Sequence, residues 1–458
     1  MGNIKNGTIL KDFTKGNLPK QILLFSLPFM LSNALQVLFS VVDMIVVGKV
    51  VGSSGLSSIS TASHIVTFMT MLCLGFSTGG QVYVAQLIGA DKKEDLNHAI
   101  GTLFTFTAIL AVIMTAIGII FARPILTLMQ TPPEAYEDAV KYLLICSIGI
   151  IFTFGYNCVS AILRGMGNAT QPFVYIVIAA VVNVGLDLLF VMVFGWGVAG
   201  AAIATIIGQG VSFIISIIYL FIKREQFGFD FKPRSFIPQK NASKTLIKLG
   251  IPFSLRGGAV NVSMLFVTSL VNSLGLAASA VFGVGLKVDD TVRKISIGVN
   301  YSVSTFVGQN FAAHELDRTK KSVYWGWIYS FLIYLIFCIV YLLNVEGLFK
   351  LFTDDQEVLN LAPIFVKAII VSFPAMIIMR GTNGFVQGIG NSTLSMVFSI
   401  VDGFVLRIGL SYLLGVVLNM GLYGFFLGYG LAAYGTSIPG MIYFFMGKWQ
   451  NKRYLDKI

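Results

Sequence analysis

The chain has 458 residues, 56% of them hydrophobic and only 12% charged, with a formal net charge of +11. A charged fraction about half that of ordinary soluble domains, with a mean hydropathy of +0.82, excludes a water-soluble globule. The longest polar stretch, from Lys223 to Lys248, is too short for an independently folded catalytic domain, and with no G-x-x-x-x-G-K-[ST] loop in the sequence a nucleotide-driven engine is excluded.

The N-terminal segment is polar, with Lys5, Lys11, Lys15 and Lys20, and the apolar stretch that follows is too long for a signal-peptide core; it reads as a retained first helix. From there, apolar stretches of roughly 20 residues recur, each long enough to cross a hydrocarbon core of about 30 Å. Gly, Pro and charge clusters divide them into twelve predicted helices beginning near residues 20, 55, 97, 136, 170, 198, 246, 279, 319, 360, 393 and 422. The expected class is an all-α polytopic membrane protein. Its basic residues cluster between apolar runs, so they read as topology signals and as contacts to the lipid bilayer, not as a nucleic-acid surface. Cys73, Cys146, Cys158 and Cys338 lie in apolar stretches without C-x-x-C spacing, which indicates neither a disulfide framework nor a zinc site. No cofactor, no metal centre and no obligate protein partner is expected.

With an even number of spans both termini share a side. Twenty-one Lys and Arg residues fall on that side, against Lys49, Arg123, Lys141 and Lys350 on the other. The positive-inside rule then predicts cytoplasmic termini. The two halves also repeat: Leu163-Arg164-Gly165-Met166-Gly167-Asn168-Ala169-Thr170 aligns with Val386-Gln387-Gly388-Ile389-Gly390-Asn391-Ser392-Thr393, a shift of 223. Gln86 pairs with Gln309 and Gly52 with Gly275 at the same shift, while Pro28 with Pro252 and Gly200 with Gly424 need 224. Six crossings return the chain to its starting side, so the repeats run parallel about an axis along the membrane normal. The predicted organisation is a lobe of helices 1 to 6 over residues 1–222, a linker over 223–245 and a lobe of helices 7 to 12 over 246–458.

Two enzyme-like patterns are poor fits to their chemistry. Gly195-Trp196-Gly197-Val198-Ala199-Gly200 spells G-x-G-x-x-G but sits in a turn between apolar helices, not after a strand. Gly75-Phe76-Ser77-Thr78-Gly79 spells a serine-nucleophile pattern, yet it lies within helix 2, where small residues four apart serve close helix packing. Acidic and amide groups inside helices carry more information, since a carboxylate near the bilayer centre costs roughly 2.5 to 3.5 kcal/mol. Asp43 in helix 1, Asp187 in helix 5 and Thr205 in helix 6 fall about 10 to 13 Å from the same ends of their helices, with Asn183 one turn deeper than Asp187 on the same face. Such oxygens can hold a proton or a hard cation such as Na⁺; equally, they can bond one another between helices. The second half carries both signs, at Arg256, Lys287, Asp289, Asp290, Arg380, Asp402 and Arg407. Lys287 and Asp289 form either a neutralised pair or the lining of a wet cavity. Asn33, Gln36 and Asn157 are candidates for the same cavity or for packing hydrogen bonds.

These residues together resemble the multidrug and toxic compound extrusion (MATE) family. The resemblance rests on Val41-Val42-Asp43-Met44-Ile45-Val46-Val47-Gly48, on Ala85-Gln86-Leu87-Ile88-Gly89-Ala90, on the R-G-x-G-N-x-T-x-P segment ending at Pro172, on Asn183-Val184-Gly185-Leu186-Asp187 and on Gly200-Ala201-Ala202-Ile203-Ala204-Thr205, in that order on a doubled six-helix frame. It implies a multi-pass protein of the bacterial inner membrane that exports drugs, often organic cations, in exchange for H⁺ or Na⁺ by rocking of two lobes. Asp43, Asn183, Asp187 and Thr205 match the ion site of the DinF-like branch, and Asn33, Gln36, Asn157, Lys287 and Asp289 are then expected around the substrate cavity. The NorM-like branch carries acidic residues in helices 7 and 10 where this chain has Val260 and Met376, which argues against a C-lobe cation site of that type. A lipid-linked precursor flippase of the same superfamily, disfavoured by the count of twelve helices, and an intramembrane serine hydrolase at Ser77 are the alternatives; unchanged movement of substrate as opposed to its conversion separates the last from the others.

The predicted orientation has a direct check. A single cysteine introduced at Gln356 reacts with an impermeant thiol reagent from outside intact cells, and one at Gln239 does not; the reverse pattern inverts the topology.

Overall fold

A computed structural model describes residues 10–451, except for the side chains of residues 38–45, Lys49 and Ser53. Among the described residues it is helical and contains no β-strand. The long helices in chain order are α1 (Leu18–Val50), α2 (Gly52–Gly89), α3 (Glu94–Ile120), α4 (Pro133–Gly165), α5 (Thr170–Val193), α6 (Gly197–Ile222), α7 (Lys240–Asn272), α8 (Leu276–Ala312), α9 (Leu316–Leu343), α10 (Gln356–Ile370 and Phe373–Gly388), α11 (Ser392–Val417) and α12 (Gly421–Leu431 and Tyr434–Phe445). Among the described residues, eight of these are individually long and apolar enough to cross a membrane, and the two pieces of α10, bent by 46°, are so when taken together. The expected all-α, twelve-helix membrane fold is therefore the observed one. Its π-helical turns were not foreseen: Leu188–Val193 ends α5, and Val401–Ile408 and Leu413–Val417 interrupt α11.

The repeat visible in the sequence is also a repeat of backbone geometry. Glycine takes a left-handed conformation at Gly52 (φ 79) and Gly275 (φ 109), at Gly167 (φ 85) and Gly390 (φ 82), and at Gly197 (φ 55) and Gly421 (φ 57), so corresponding helices end in the same way. After Gly167 and Gly390 the side chains of Asn168 and Asn391 accept from the backbone N–H of Gln171 and Leu394, capping α5 and α11 alike. Close helix packing repeats too. A Cβ on Gly165 would lie 2.7 Å from the carbonyl oxygen of Gln81, and one on Gly388 would lie 2.7 Å from that of Ser304. Each pair stands 223 residues from the other, and only a residue without a side chain admits such an approach of backbone to backbone.

The chain forms two compact units. One contains residues 31–254 and the other residues 13–30 with 255–457. The boundaries 1–222, 223–245 and 246–458 are those of the linear repeat; the units differ from them because α1 and α7 are each shared. Both helices pass from one unit to the other just after an internal proline, Pro28 and Pro252. In the C-terminal unit Phe13 stacks on Phe306 with ring centroids 3.9 Å apart, and its backbone N–H donates to Gln309 Oε1 at 2.9 Å. In the N-terminal unit the Ser254 hydroxyl donates to the Leu72 carbonyl at 2.7 Å, with Gly75 directly beneath it.

The connection between α6 and α7 is fastened to α3. A Cβ on Gly101 would collide with the Ser235 carbonyl, Asn97 Nδ2 donates to Ser235 Oγ at 3.3 Å, and the Gln239 N–H donates to Thr102 Oγ1 at 3.2 Å. The Ser235 hydroxyl, followed by the Lys232 backbone N–H, holds the Asp230 carboxyl below the usual carboxylate range. Beside this connection α3, α6, Phe231 and Phe236 line an open apolar groove of about 750 Å³.

If backbone contact at the paired glycines holds each unit together, Gly165→Val and Gly388→Val each lower stability by about 1–3 kcal/mol. Gly283→Ala, where nothing lies within 4 Å of the added Cβ, is the control and changes stability little. Thermal unfolding of the purified variants distinguishes these outcomes.

Candidate functional site

In the N-terminal unit α1, α5 and α6 meet in one buried layer formed by Val46, Val47, Val191 and Ala201. The ends of these helices meet at the glycine turns: Gly200 packs against Phe190 and Trp196, and a Cβ on Gly197 would lie 3.8 Å from Val51 Cγ2. The candidate polar residues stand one helical turn from this layer. Asp187 is four residues before Val191, and Thr205 is four residues after Ala201 on an antiparallel helix. Asp43 is four residues before Val47 within α1; its side chain lies outside the described residues.

Asp187 is buried, at 1% exposure. Asn183 lies one turn before it on α5, and a Cβ on Gly208 would sit 3.2 Å from Asn183 Cβ and 2.9 Å from the Ala179 carbonyl, so α6 presses on α5 at that level. The buried Asn183 Nδ2 has no hydrogen-bond partner among the described residues. The Thr205 hydroxyl donates to the Ala201 carbonyl at 2.9 Å, which leaves its oxygen lone pairs available. The π-helical turn begins immediately after Asp187, so the following backbone no longer keeps α-helical register. The arrangement offers carboxylate, amide and hydroxyl oxygens at one level, with an orphaned amide donor beside them.

Of the other candidates, Asn157 donates to the Thr153 carbonyl on its own helix at 2.8 Å. Asn33 is half-buried and Gln36 exposed. Ser77 is fully buried with Cys73 Sγ 3.7 Å away, whereas His64 is exposed on the same helix.

In the C-terminal unit the structure corrects one reading. Lys287 and Asp289 do not pair: Lys287 is exposed, whereas Asp289 is buried at 2% exposure and accepts from Arg293 Nε at 2.5 Å. Residues two apart on a helix point in divergent directions, and residues four apart meet. Asp290 pairs with Lys294 by the same rule, at 2.9 Å. Arg293 is the residue missed in the sequence, and its spacing of four from Asp289 was the available signal. A second buried pair, Asp402 with Arg407 at 2.9 Å, occupies the π-helical turn of α11, and the Thr436 hydroxyl completes Asp402 at 3.2 Å. Arg380 donates to Ser296 Oγ at 2.9 Å and to the Arg293 carbonyl at 3.3 Å.

Comparison with known proteins places this geometry in context. The model of the MatE family matches residues 28–189 and again 252–413, one match in each repeat. A probable multidrug resistance protein, YpnP of Bacillus subtilis, is 30% identical over 96% of the chain and 97% of its own length. The probable multidrug resistance protein NorM of Thermotoga maritima is 24% identical over 96% and 94%. Among solved structures, a MATE protein crystallised in a straight conformation superposes with a TM-score of 0.90 at 23% identity, over 96% of this chain and 98% of that one.

The Asp289–Arg293 pair gives a stability prediction. Asp289→Asn strands a largely buried guanidinium and lowers stability by about 3–5 kcal/mol. Combining it with Arg293→Gln removes the stranded charge and restores more than half of the loss. A thermal-unfolding double-mutant cycle reads the difference; equal, additive losses exclude the pairing.

Proposed function

This chain belongs to the MatE family, and from that premise we propose that it is a secondary antiporter, exporting drug-like small molecules, often organic cations, in exchange for H⁺ or Na⁺. The observation that carries the proposal is the meeting of α1, α5 and α6 at Val46, Val47, Val191 and Ala201, one turn from Asp187, Thr205 and the backbone position of Asp43. Its relatives named as multidrug resistance proteins cover nearly the whole chain, which supports small-molecule export as the task.

The mechanism follows from electrostatics. Two carboxylates at one level in a poorly hydrated unit repel, and a proton or a Na⁺ between them relieves the repulsion. Loading the site therefore favours the packing in which α1, α5 and α6 lie close; unloading favours a looser one. The π-helical turn after Asp187 is where such a change is absorbed, because its hydrogen-bond register is already interrupted. Antiport requires that ion and substrate prefer different states, so that each is bound where the other is released. One charge crossing 100 mV supplies about 2.3 kcal/mol, enough to shift a two-state equilibrium about fiftyfold. Pro28 and Pro252, each breaking a helical hydrogen bond where α1 and α7 change unit, are the natural hinges for rocking. With cytoplasmic termini, ions enter from outside and substrate leaves in the opposite direction.

The test is efflux from proteoliposomes under imposed ΔpH or Na⁺ gradients. Asp43→Asn and Asp187→Asn each abolish gradient-driven efflux while the protein still folds and inserts. Thr205→Ala retains efflux at a higher ion concentration. Export by both Asn variants with normal dependence on ΔpH and Na⁺ assigns these residues to interhelical packing and removes the mechanism.

A further inference from the structure

The membrane-embedded part of the C-terminal unit has an unbalanced charge account. Arg256, Arg293, Arg380 and Arg407 project from α7, α8, α10 and α11, and the buried carboxylates that face them are Asp289 and Asp402. Arg256 donates to a hydroxyl, Ser395 Oγ at 3.2 Å, and Arg380 reaches hydroxyls and a backbone carbonyl. The remaining charged groups of these helices, Lys240, Lys244, Lys248, Lys287, Asp290, Lys294, Glu357 and Lys367, are exposed. Four guanidiniums thus stand against two carboxylates in a setting where an uncompensated charge is expensive.

The hydrogen-bond account is unbalanced in the same sense and at the same place. Arg293 uses Nε on Asp289, and Arg407 uses Nη2 on Asp402. Arg293 Nη2, Arg407 Nε, Arg407 Nη1 and the hydroxyls of Tyr429 and Tyr341 are buried with no partner among the described residues. Both guanidiniums flank one ring: Arg293 Cζ lies 5.4 Å and Arg407 Cζ 4.8 Å from the centroid of Tyr429. Asp402 is already engaged on both oxygens, one accepting from Arg407 and the other from Thr436, and its single charge is matched by Arg407. What the cluster lacks is an acceptor bearing negative charge. Water would satisfy the donors and leave the charge; an anion satisfies both.

We propose that the C-terminal unit binds a compact monovalent anion beside Tyr429, held by the free guanidinium edges of Arg407 and Arg293. The ligand is a chloride-like ion or the carboxylate end of a transported molecule, and these share one recognition chemistry. The assignment goes beyond the antiport reading and does not depend on it.

Binding is measured on the purified full-length chain in detergent, exchanged into sodium isethionate, with radioactive chloride as the probe and bromide and benzoate as competitors. Saturable binding of about one ion per chain is expected, weakened at least tenfold in Arg407→Gln and about ten- to a hundredfold in Tyr429→Phe, the range for losing one hydrogen bond to a charged group. Tyr429→Phe keeps the ring between the guanidiniums, so its melting temperature in isethionate stays that of the parent protein. Crystals soaked in bromide place an anomalous peak beside Arg407 and Tyr429. Competition by bromide alone identifies a resident halide, and stronger competition by benzoate identifies a carboxylate ligand; either outcome upholds the site. Absence of saturable binding, or binding unchanged in both variants, overturns it. Because no transport is involved, failure here leaves the efflux experiment untouched, and failure of efflux leaves the anion site standing.

Discussion

Hydrocarbon offers no hydrogen bonds, and that constraint shapes each unit of this chain from inside. Hydroxyls within helices donate back to their own backbone, as Thr70 does to Val66, Thr78 to Leu74 and Thr268 to Met264. Amides do likewise, Asn157 to Thr153 and Asn261 to Gly257. Helices approach through glycine, where backbone meets backbone and dispersion replaces the hydrophobic drive that lipid removes. Against this economy, an orphaned amide at Asn183 and orphaned guanidinium edges at Arg293 and Arg407 are costly exceptions.

The two repeats share a backbone plan and diverge in chemistry. The turns at Gly167 and Gly390 have the same φ to within a few degrees, and the asparagines beside them cap the following helices in the same way. The π-helical turn Leu188–Val193 has its counterpart in Leu413–Val417. Yet position 164 is an arginine donating to Gln81, while its counterpart Gln387 accepts from Asn300. The first unit places a buried carboxylate at Asp187; the second concentrates guanidiniums around Tyr429. Symmetry governs how the helices pack, and single substitutions decide what each half attracts.

Much of the fold was legible because it is written in patterns that composition and spacing preserve: long apolar stretches, punctuating glycines, and a shift of 223 to 224 residues. The helix starts near 55, 136, 170, 198, 319 and 393 lie within a few residues of Gly52, Pro133, Thr170, Gly197, Leu316 and Ser392. The π-helical turns were illegible, since an extra residue in a helical turn leaves no mark in an apolar run. Ion pairing was misjudged for a geometric reason: Lys287 and Asp289 are neighbours in sequence, but the helix turns them apart and delivers Arg293. For the candidate site, depth along each helix was readable from residue counts, whereas the layer joining α1, α5 and α6 required knowing which helices touch.

The exchange of segments at Pro28 and Pro252 bears on how the protein is made. Residues 13–30 leave the ribosome nearly 300 residues ahead of Gly298, Phe306, Gln309, Arg318 and Tyr329, against which they pack. Conversely, α2 awaits Gly250 and Ser254, synthesised only after α6 and the connection pinned to α3. Neither unit reaches its final packing during its own translation. Residues 13–30 must wait in the membrane without their packing partners until the second half emerges. Insertion of the helices and completion of the tertiary structure are thereby separated in time, and a chain cut within the 223–239 connection yields two fragments that mature only by recombining.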